Sequence, residues 1–237
     1  MSSVDLLADK VLLSRQDPEM YYDGRRNLLS TTQLNEPVAD RGAVIARSAA
    51  DGSPAWTYRG PDDKGWVSNV VGVSQGTAVV VSRRSPEGAP KGAETQTWLT
   101  GIDKSGKELW RQDLKSQLDY DLSEGVKVAG GVVVTWETAA AKNDISKLVG
   151  RDATTGAVRW RAAVGDVGAP LRTSALVGNT LLTRATDLGL LAVDLTTGAI
   201  SRPFHDPNLR AVSKIVSDGR TVTISYEALT ITFDQRH

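Results

Sequence analysis

One pattern returns along this chain: a tight turn closed by glycine, with a tryptophan four residues later. It is fullest at Gly150-Arg151-Asp152-Ala153-Thr154-Thr155-Gly156-Ala157-Val158-Arg159-Trp160. Gly52, Gly106, Gly156 and Gly198 close the four copies and lie 54, 50 and 42 residues apart. Trp56, Trp110 and Trp160 follow the first three glycines, and Arg202 stands in that place in the fourth. Copies at this spacing, with insertions that vary in length at one point, are the mark of a repeat architecture.

Each copy reads as four short strands. The second runs Val70–Val73, Thr77–Ser82, Thr97–Ile102 and Lys107–Trp110, with turns at Ser74-Gln75-Gly76 and Asp103-Lys104-Ser105-Gly106. The fourth is the most compact: Ser174–Val177, Leu181–Arg184, Leu190–Val193 and Ala199–Arg202. Alternation of apolar and polar residues over such lengths suits strands with packed faces. A four-stranded unit of about 40–50 residues cannot bury its faces alone and reads as a propeller blade. The expected fold is therefore all-β: a single β-propeller domain over residues 1–237, with blades near 4–59, 67–114, 123–165, 171–204 and 211–237. The first blade holds a long insertion from Gln16 to Arg41, and a shorter loop runs from Arg83 to Glu94. The fifth blade stops at Asp234-Gln235-Arg236-His237, before its fourth strand. That predicts either an open array of about five blades or a piece of a longer propeller.

The turn has a physical logic. The Asp that opens it accepts hydrogen bonds from backbone N–H groups ahead of it, and the closing Gly takes a positive φ that other residues adopt at a penalty. In the first copy Ser48 replaces the Asp. The Trp sits on the outer strand, where its ring plugs the gap between neighbouring blades and contributes on the order of 2–3 kcal/mol when buried. Arg202 is expected to cover the same surface with its aliphatic stem.

Charge and cysteine content exclude several classes. Lys+Arg and Asp+Glu each total 28, so there is no cationic excess of the kind that nucleic acid selects. There is no Cys, hence no disulfide, thiol nucleophile or thiolate metal site. The first ten residues lack the basic and apolar regions of a signal peptide, and no apolar run approaches the ~18–20 residues of a membrane span. An anchor or signal, if the protein works outside the cytoplasm, is absent from this stretch.

Candidate chemistry is sparse. His205 and His237, the two histidines, lie in a loop and at the terminus and define no metal pair. Asp119, Tyr120, Asp121 and Glu124 form an acidic run that reads as a solvated connection rather than a cation site. The glycine turns open no helix, so none is a phosphate loop. The Asp-to-Gly spacing at Asp103, Asp152 and Asp194 does not fit a sialidase-type Asp box. No catalytic, cofactor-binding or metal-binding residue is assigned. The better lead is the insertions: Tyr21, Tyr22 and the pairs Arg25-Arg26 and Arg83-Arg84 lie on them, and Trp98 and Trp136 lie near loops at the same strand end. Aromatic and arginine residues gathered on one rim suit a protein partner.

The strings Ala192-Val193-Asp194-Leu195-Thr196-Thr197-Gly198 and Arg151-Asp152-Ala153-Thr154-Thr155-Gly156-Ala157-Val158-Arg159-Trp160 resemble the PQQ-like repeat, A-x-D-x-x-T-G-x-x-x-W. That repeat occurs in pyrroloquinoline-quinone dehydrogenases. It also occurs in non-enzymatic propellers such as the lipoprotein of the outer-membrane β-barrel assembly machinery, and in sensor domains of bacterial kinases. The resemblance implies a β-propeller with tryptophan docking. It does not carry over the enzymes' chemistry: they pair the quinone with Ca²⁺, a catalytic Asp and often adjacent cysteines, in propellers usually of eight blades. The expectation is a non-enzymatic branch of the family. It would be a scaffold or ligand-sensing module of a bacterial cell envelope, with no cofactor, meeting a protein through its loop rim or an exposed blade edge. The alternative is a degenerate quinoprotein or hydrolytic propeller with a site in the central funnel.

Overall fold

The computed structural model describes residues 2–15, 42–62, 66–84, 96–114, 125–137, 146–165, 171, 173–185, 189–204, 212–218, 221–226 and 229–234. The chain divides into two compact units, Met1–Ser116 and Gln117–His237. Every regular element among the described residues is a strand.

In the first unit, β1 (Ser2–Leu7), β2 (Lys10–Arg15), β3 (Val44–Ser48) and β4 (Pro54–Tyr58) form one antiparallel sheet in chain order. The strands β5 (Val67–Ser74), β6 (Thr77–Arg84), β7 (Gln96–Asp103) and β8 (Glu108–Asp113) form a second. Alternation decides which side chains meet. Leu7, Leu12, Val44, Ala46 and Tyr58 of the first sheet bury against Val70, Ala78, Val80 and Ile102 of the second. The first hairpin turns at Ala8-Asp9, with Ala8 at φ 54°.

In the second unit, β9 (Lys127–Ala129), β10 (Val132–Glu137), β11 (Ser146–Asp152) and β12 (Val158–Gly165) make the third sheet. The fourth comprises β13 (Ser174–Val177), β14 (Thr180–Ala185), β15 (Gly189–Asp194) and β16 (Ile200–Phe204). Val132, Val134, Leu148, Trp160, Ala162 and Val164 pack against Leu171, Leu181, Leu191, Val193 and Leu195. The fifth sheet has three strands, β17 (Val212–Ser217), β18 (Thr221–Tyr226) and β19 (Leu229–Asp234). Its Ile215, Val222 and Ile224 bury against Ala175 and Leu190 of the fourth. β19 ends on an Asp, as do β7, β11 and β15, the third strands of complete sheets. It is therefore a third strand, and no fourth pairs with it among the described residues. Four four-stranded antiparallel sheets and one three-stranded sheet are the blades that the repeat predicts.

Two details differ from expectation. Arg83 and Arg84 are not on the insertion. They belong to β6, because Arg83 pairs across to Thr97 and Arg84 to Gln96, which carries the ladder further toward the loop. Arg202 does not take over the role of the tryptophans: it is exposed.

Candidate functional site

The recurrent turns consume their own polar groups. Asp152 Oδ1 accepts from the backbone N–H groups of Thr154 (2.9 Å) and Thr155 (2.8 Å), and Arg159 donates to Oδ2 at 2.6 Å. Asp194 accepts from Thr196 and Thr197 in the same way, and Asp103 from Ser105 and Lys107. These bonds favour the ionised carboxyl: Asp103, Asp152 and Asp194 are all held below the usual carboxylate range. The leading cause is the Ser105 hydroxyl for Asp103, the Arg159 guanidinium for Asp152 and the Thr197 backbone for Asp194. In the first sheet Ser48 stands in for the Asp, its Oγ accepting from Ala50 N–H at 3.3 Å.

The tryptophans join sheets. Trp56 Nε1 donates to the carbonyl of Lys104 at 3.0 Å, and its ring lies on Gly106 of the second sheet's turn. Trp160 Nε1 donates to Leu195 O at 2.7 Å, and its ring lies on Gly198. The other side of the Trp160 ring covers Gly150, its cross-strand partner, as Trp110 covers Gly101. A bare glycine lets the indole lie flat on the strand. Trp56 faces Ala46 instead and stays half-buried. The structural role expected for these rings is thus seen in Trp56 and Trp160.

Several side chains that the turns and joints do not use stand toward the opposite, loop-bearing ends of two sheets. In the first unit, Arg84 sits 4.7 Å over the Trp66 ring. Its guanidinium also donates to Asp62 at 3.3 Å and to Gln96 Oε1 at 2.8 Å, and Trp66 N–H donates to the Asp62 carboxylate. Gly60, at φ 94°, lies against the Trp66 ring. The connection from β4 to β5 is so pinned onto β6 and β7. Beside it, Arg111 stacks 5.7 Å from the Trp98 ring and pairs with Glu108. Deeper in, Ser68 bonds Ser82, and Tyr58 bonds Thr100. Burial pushes the Tyr58 phenol up, so it stays neutral.

In the second unit, Trp136 packs onto the core, and its buried indole N–H has no hydrogen-bond partner among the described residues. On the other face of the same sheet, Glu137 lies opposite Lys147 and within ion-pair range of Arg151 (3.8 Å) and Arg161 (3.6 Å). Burial is the main influence lowering the Arg151 pKa.

Trp98 and Trp136 thus sit at the loop-bearing ends of their sheets. Asp62, Trp66, Gln96 and Glu137 join them there, while Arg111 and Arg161 lie mid-strand opposite Thr100 and Val149, and Arg151 reaches Glu137 from the turn end, where it lies opposite Val133; sequence reasoning singled out none of these for function. Tyr21, Tyr22, Arg25, Arg26, Asp119, Tyr120, Asp121, Glu124, His205 and His237 lie outside the described residues. Among the described residues, no three His, Cys, Asp or Glu side chains converge as a cation site. No described helix is long and apolar enough to cross a membrane. The loop end of the second sheet carries the Arg84–Trp66 stack, and that of the third carries the cross-strand pair of Glu137 and Lys147.

Sheets of this order, joined by glycine-docked tryptophans, define a β-propeller protein of PQQ-like repeats. The profile of the outer membrane protein assembly factor BamB family matches residues 21–227, and the chain belongs to that family. No curated protein sequence matches it significantly. Among solved structures, BamB from Moraxella catarrhalis is similar at 12% identity and TM-score 0.42, over 99% of this chain and 70% of that one. The quinohemoprotein alcohol dehydrogenase from Comamonas testosteroni is similar at 12% identity and TM-score 0.48, over 92% of this chain and 37% of the enzyme.

Proposed function

We propose that this chain is a non-enzymatic propeller scaffold that binds a protein partner in a bacterial cell envelope through the loop-bearing ends of its sheets. The observation that carries this reading is the family match over residues 21–227, whose family is named for outer membrane protein assembly. The side-chain chemistry agrees. The Asp turns and docked tryptophans serve architecture, while the Arg84–Trp66 stack, Trp98 and the Glu137–Lys147 cross-strand pair stand at the strand ends from which the insertions leave. Such groups are favoured where proteins meet.

Photo-crosslinking in the cell envelope tests the reading. A photoreactive residue in place of Gln96 or Lys147 at the loop-bearing ends is expected to trap one discrete protein. The same residue in place of Lys104 or Thr196, at the exposed turns, is expected to trap none. Equal labelling from both ends, or none from either, would contradict the proposal.

A further inference from the structure

The residue before each turn Asp occupies an equivalent place in each repeat. Ile102 and Val193 hold it in the second and fourth sheets, and both are fully buried. In the third sheet the place is held by Arg151, 6% exposed. A guanidinium in an apolar slot is costly unless it is paired and hydrogen-bonded. Among the described residues, Arg151 has the 3.8 Å ion pair to Glu137 and its buried Nε has no hydrogen-bond partner. Arg47, at the same place in the first sheet, bonds the carbonyl of Gly52 at 3.0 Å.

The surroundings hold a surplus of cations. Arg151, Arg161 and Lys147 share one sheet face with Glu137 as their acidic neighbour, since Arg151 pairs with Val133, Val149 with Arg161, and Lys147 with Glu137. Both ion pairs to Glu137 exceed hydrogen-bond distance, at 3.8 and 3.6 Å. The cluster opens outward: the side chains of Glu137 and Arg161 are 32% and 50% exposed. One carboxylate thus stands loosely between two guanidiniums, with a route in from the Arg161 end.

We propose that this cluster is a receptor for a carboxylate carried on an acidic segment of a protein partner. The incoming carboxylate takes hydrogen bonds from Arg151 and Arg161 that Glu137 does not take. A planar guanidinium matches a carboxylate in paired geometry, which a lysine does not. The inference rests on the scaffold reading and names the chemistry of its partner.

The test uses the full chain at low ionic strength, titrated by calorimetry with a capped tetraglutamate peptide, a tetralysine peptide and inorganic phosphate. Tetraglutamate is expected to bind and tetralysine not. Arg161→Ala should weaken peptide binding about tenfold. Glu137→Gln should tighten it about fivefold, because a competing carboxylate is gone. Arg151→Met should remove binding while the melting temperature stays or rises, since an apolar side chain then fills an apolar slot. Unchanged binding in both Arg151→Met and Arg161→Ala, or weaker binding in Glu137→Gln, would overturn the assignment. Phosphate binding as tight as tetraglutamate would also overturn it, leaving a plain anion trap. If Arg151→Met does not fold, Arg161→Ala and Glu137→Gln still decide. Absent peptide binding with the Lys147 crosslink intact would sink this inference alone, whereas loss of all crosslinks would remove the scaffold reading with it.

Discussion

The indole N–H of Trp160 donates to the carbonyl of Leu195 at 2.7 Å, tying the outer strand of the third sheet to the turn of the fourth. The ring is 7% exposed and lies among the core residues of both sheets. Trp160→Ala should therefore cost about 3–5 kcal/mol. Trp160→Phe keeps most of the burial and should cost about 1–2 kcal/mol, part of it the lost hydrogen bond. Urea unfolding followed by circular dichroism measures both, and a Trp160→Ala midpoint equal to wild type would show that the ring is not a joint.

Gly198 separates steric demand from backbone demand. A Cβ there would lie 2.7 Å from Trp160 Cδ2, at φ 73°. At Gly52, φ is 71° with nothing within 4 Å of an added Cβ. Gly52→Ala should cost about 1 kcal/mol from backbone strain alone. Gly198→Ala adds overpacking against the ring and should cost about 2–4 kcal/mol. Equal losses in the same unfolding assay would argue against close docking of the ring.

Acid should loosen the turns. Asp103, Asp152 and Asp194 are held below their ordinary value of 3.8 in the folded chain. A carboxyl whose folded pKa is depressed contributes stability that is fully present above the unfolded value. That contribution is lost as pH falls through the folded value. Melting temperature should hold steady above about pH 5 and decline below about pH 4. Asp152→Asn should lower stability at neutral pH and flatten this decline. A decline as steep as wild type in Asp152→Asn would place the acid sensitivity elsewhere.

Arg84 is held on three sides, by the Trp66 ring, Asp62 and Gln96. Lysine keeps the charge but loses the planar stack and the fork. Arg84→Lys should cost about 1 kcal/mol and red-shift the fluorescence of Trp66 as water reaches the ring. Gln96→Ala should be nearly silent. An Arg84→Lys variant with unchanged emission would mean that the stack does not shield the indole.

Strands and turns were readable because their signals are local. Short apolar runs entered from Gly76 and from Gly178-Asn179 marked β6 and β14, and Asp-to-Gly spacing marked the turns after β7, β11 and β15. The docking of Trp56 and Trp160 was readable because the position recurs. Arg83-Arg84 misled because Ser85-Pro86 follows them and reads as the start of a loop, whereas cross-strand pairing with Thr97 and Gln96 holds them in β6. The Asp62–Trp66–Arg84 contact joins a connection to a strand and leaves no periodic trace. Arg151 did have a signal, a charge standing where Ile102 and Val193 stand in sister repeats. It becomes visible once burial shows that the place is a core position. Arg202 was expected to mimic a docked ring, but nothing in its local sequence distinguishes a stem lying on a surface from one in water.

The central claim is that this repeat serves joining and recognition rather than quinone chemistry. The most direct measurement is titration of the full chain with pyrroloquinoline quinone and calcium, following tryptophan quenching together with dye-linked oxidation of alcohols and aldoses. The account predicts no saturable quenching and no dye reduction above the protein-free blank. Saturable quinone binding with turnover would contradict it.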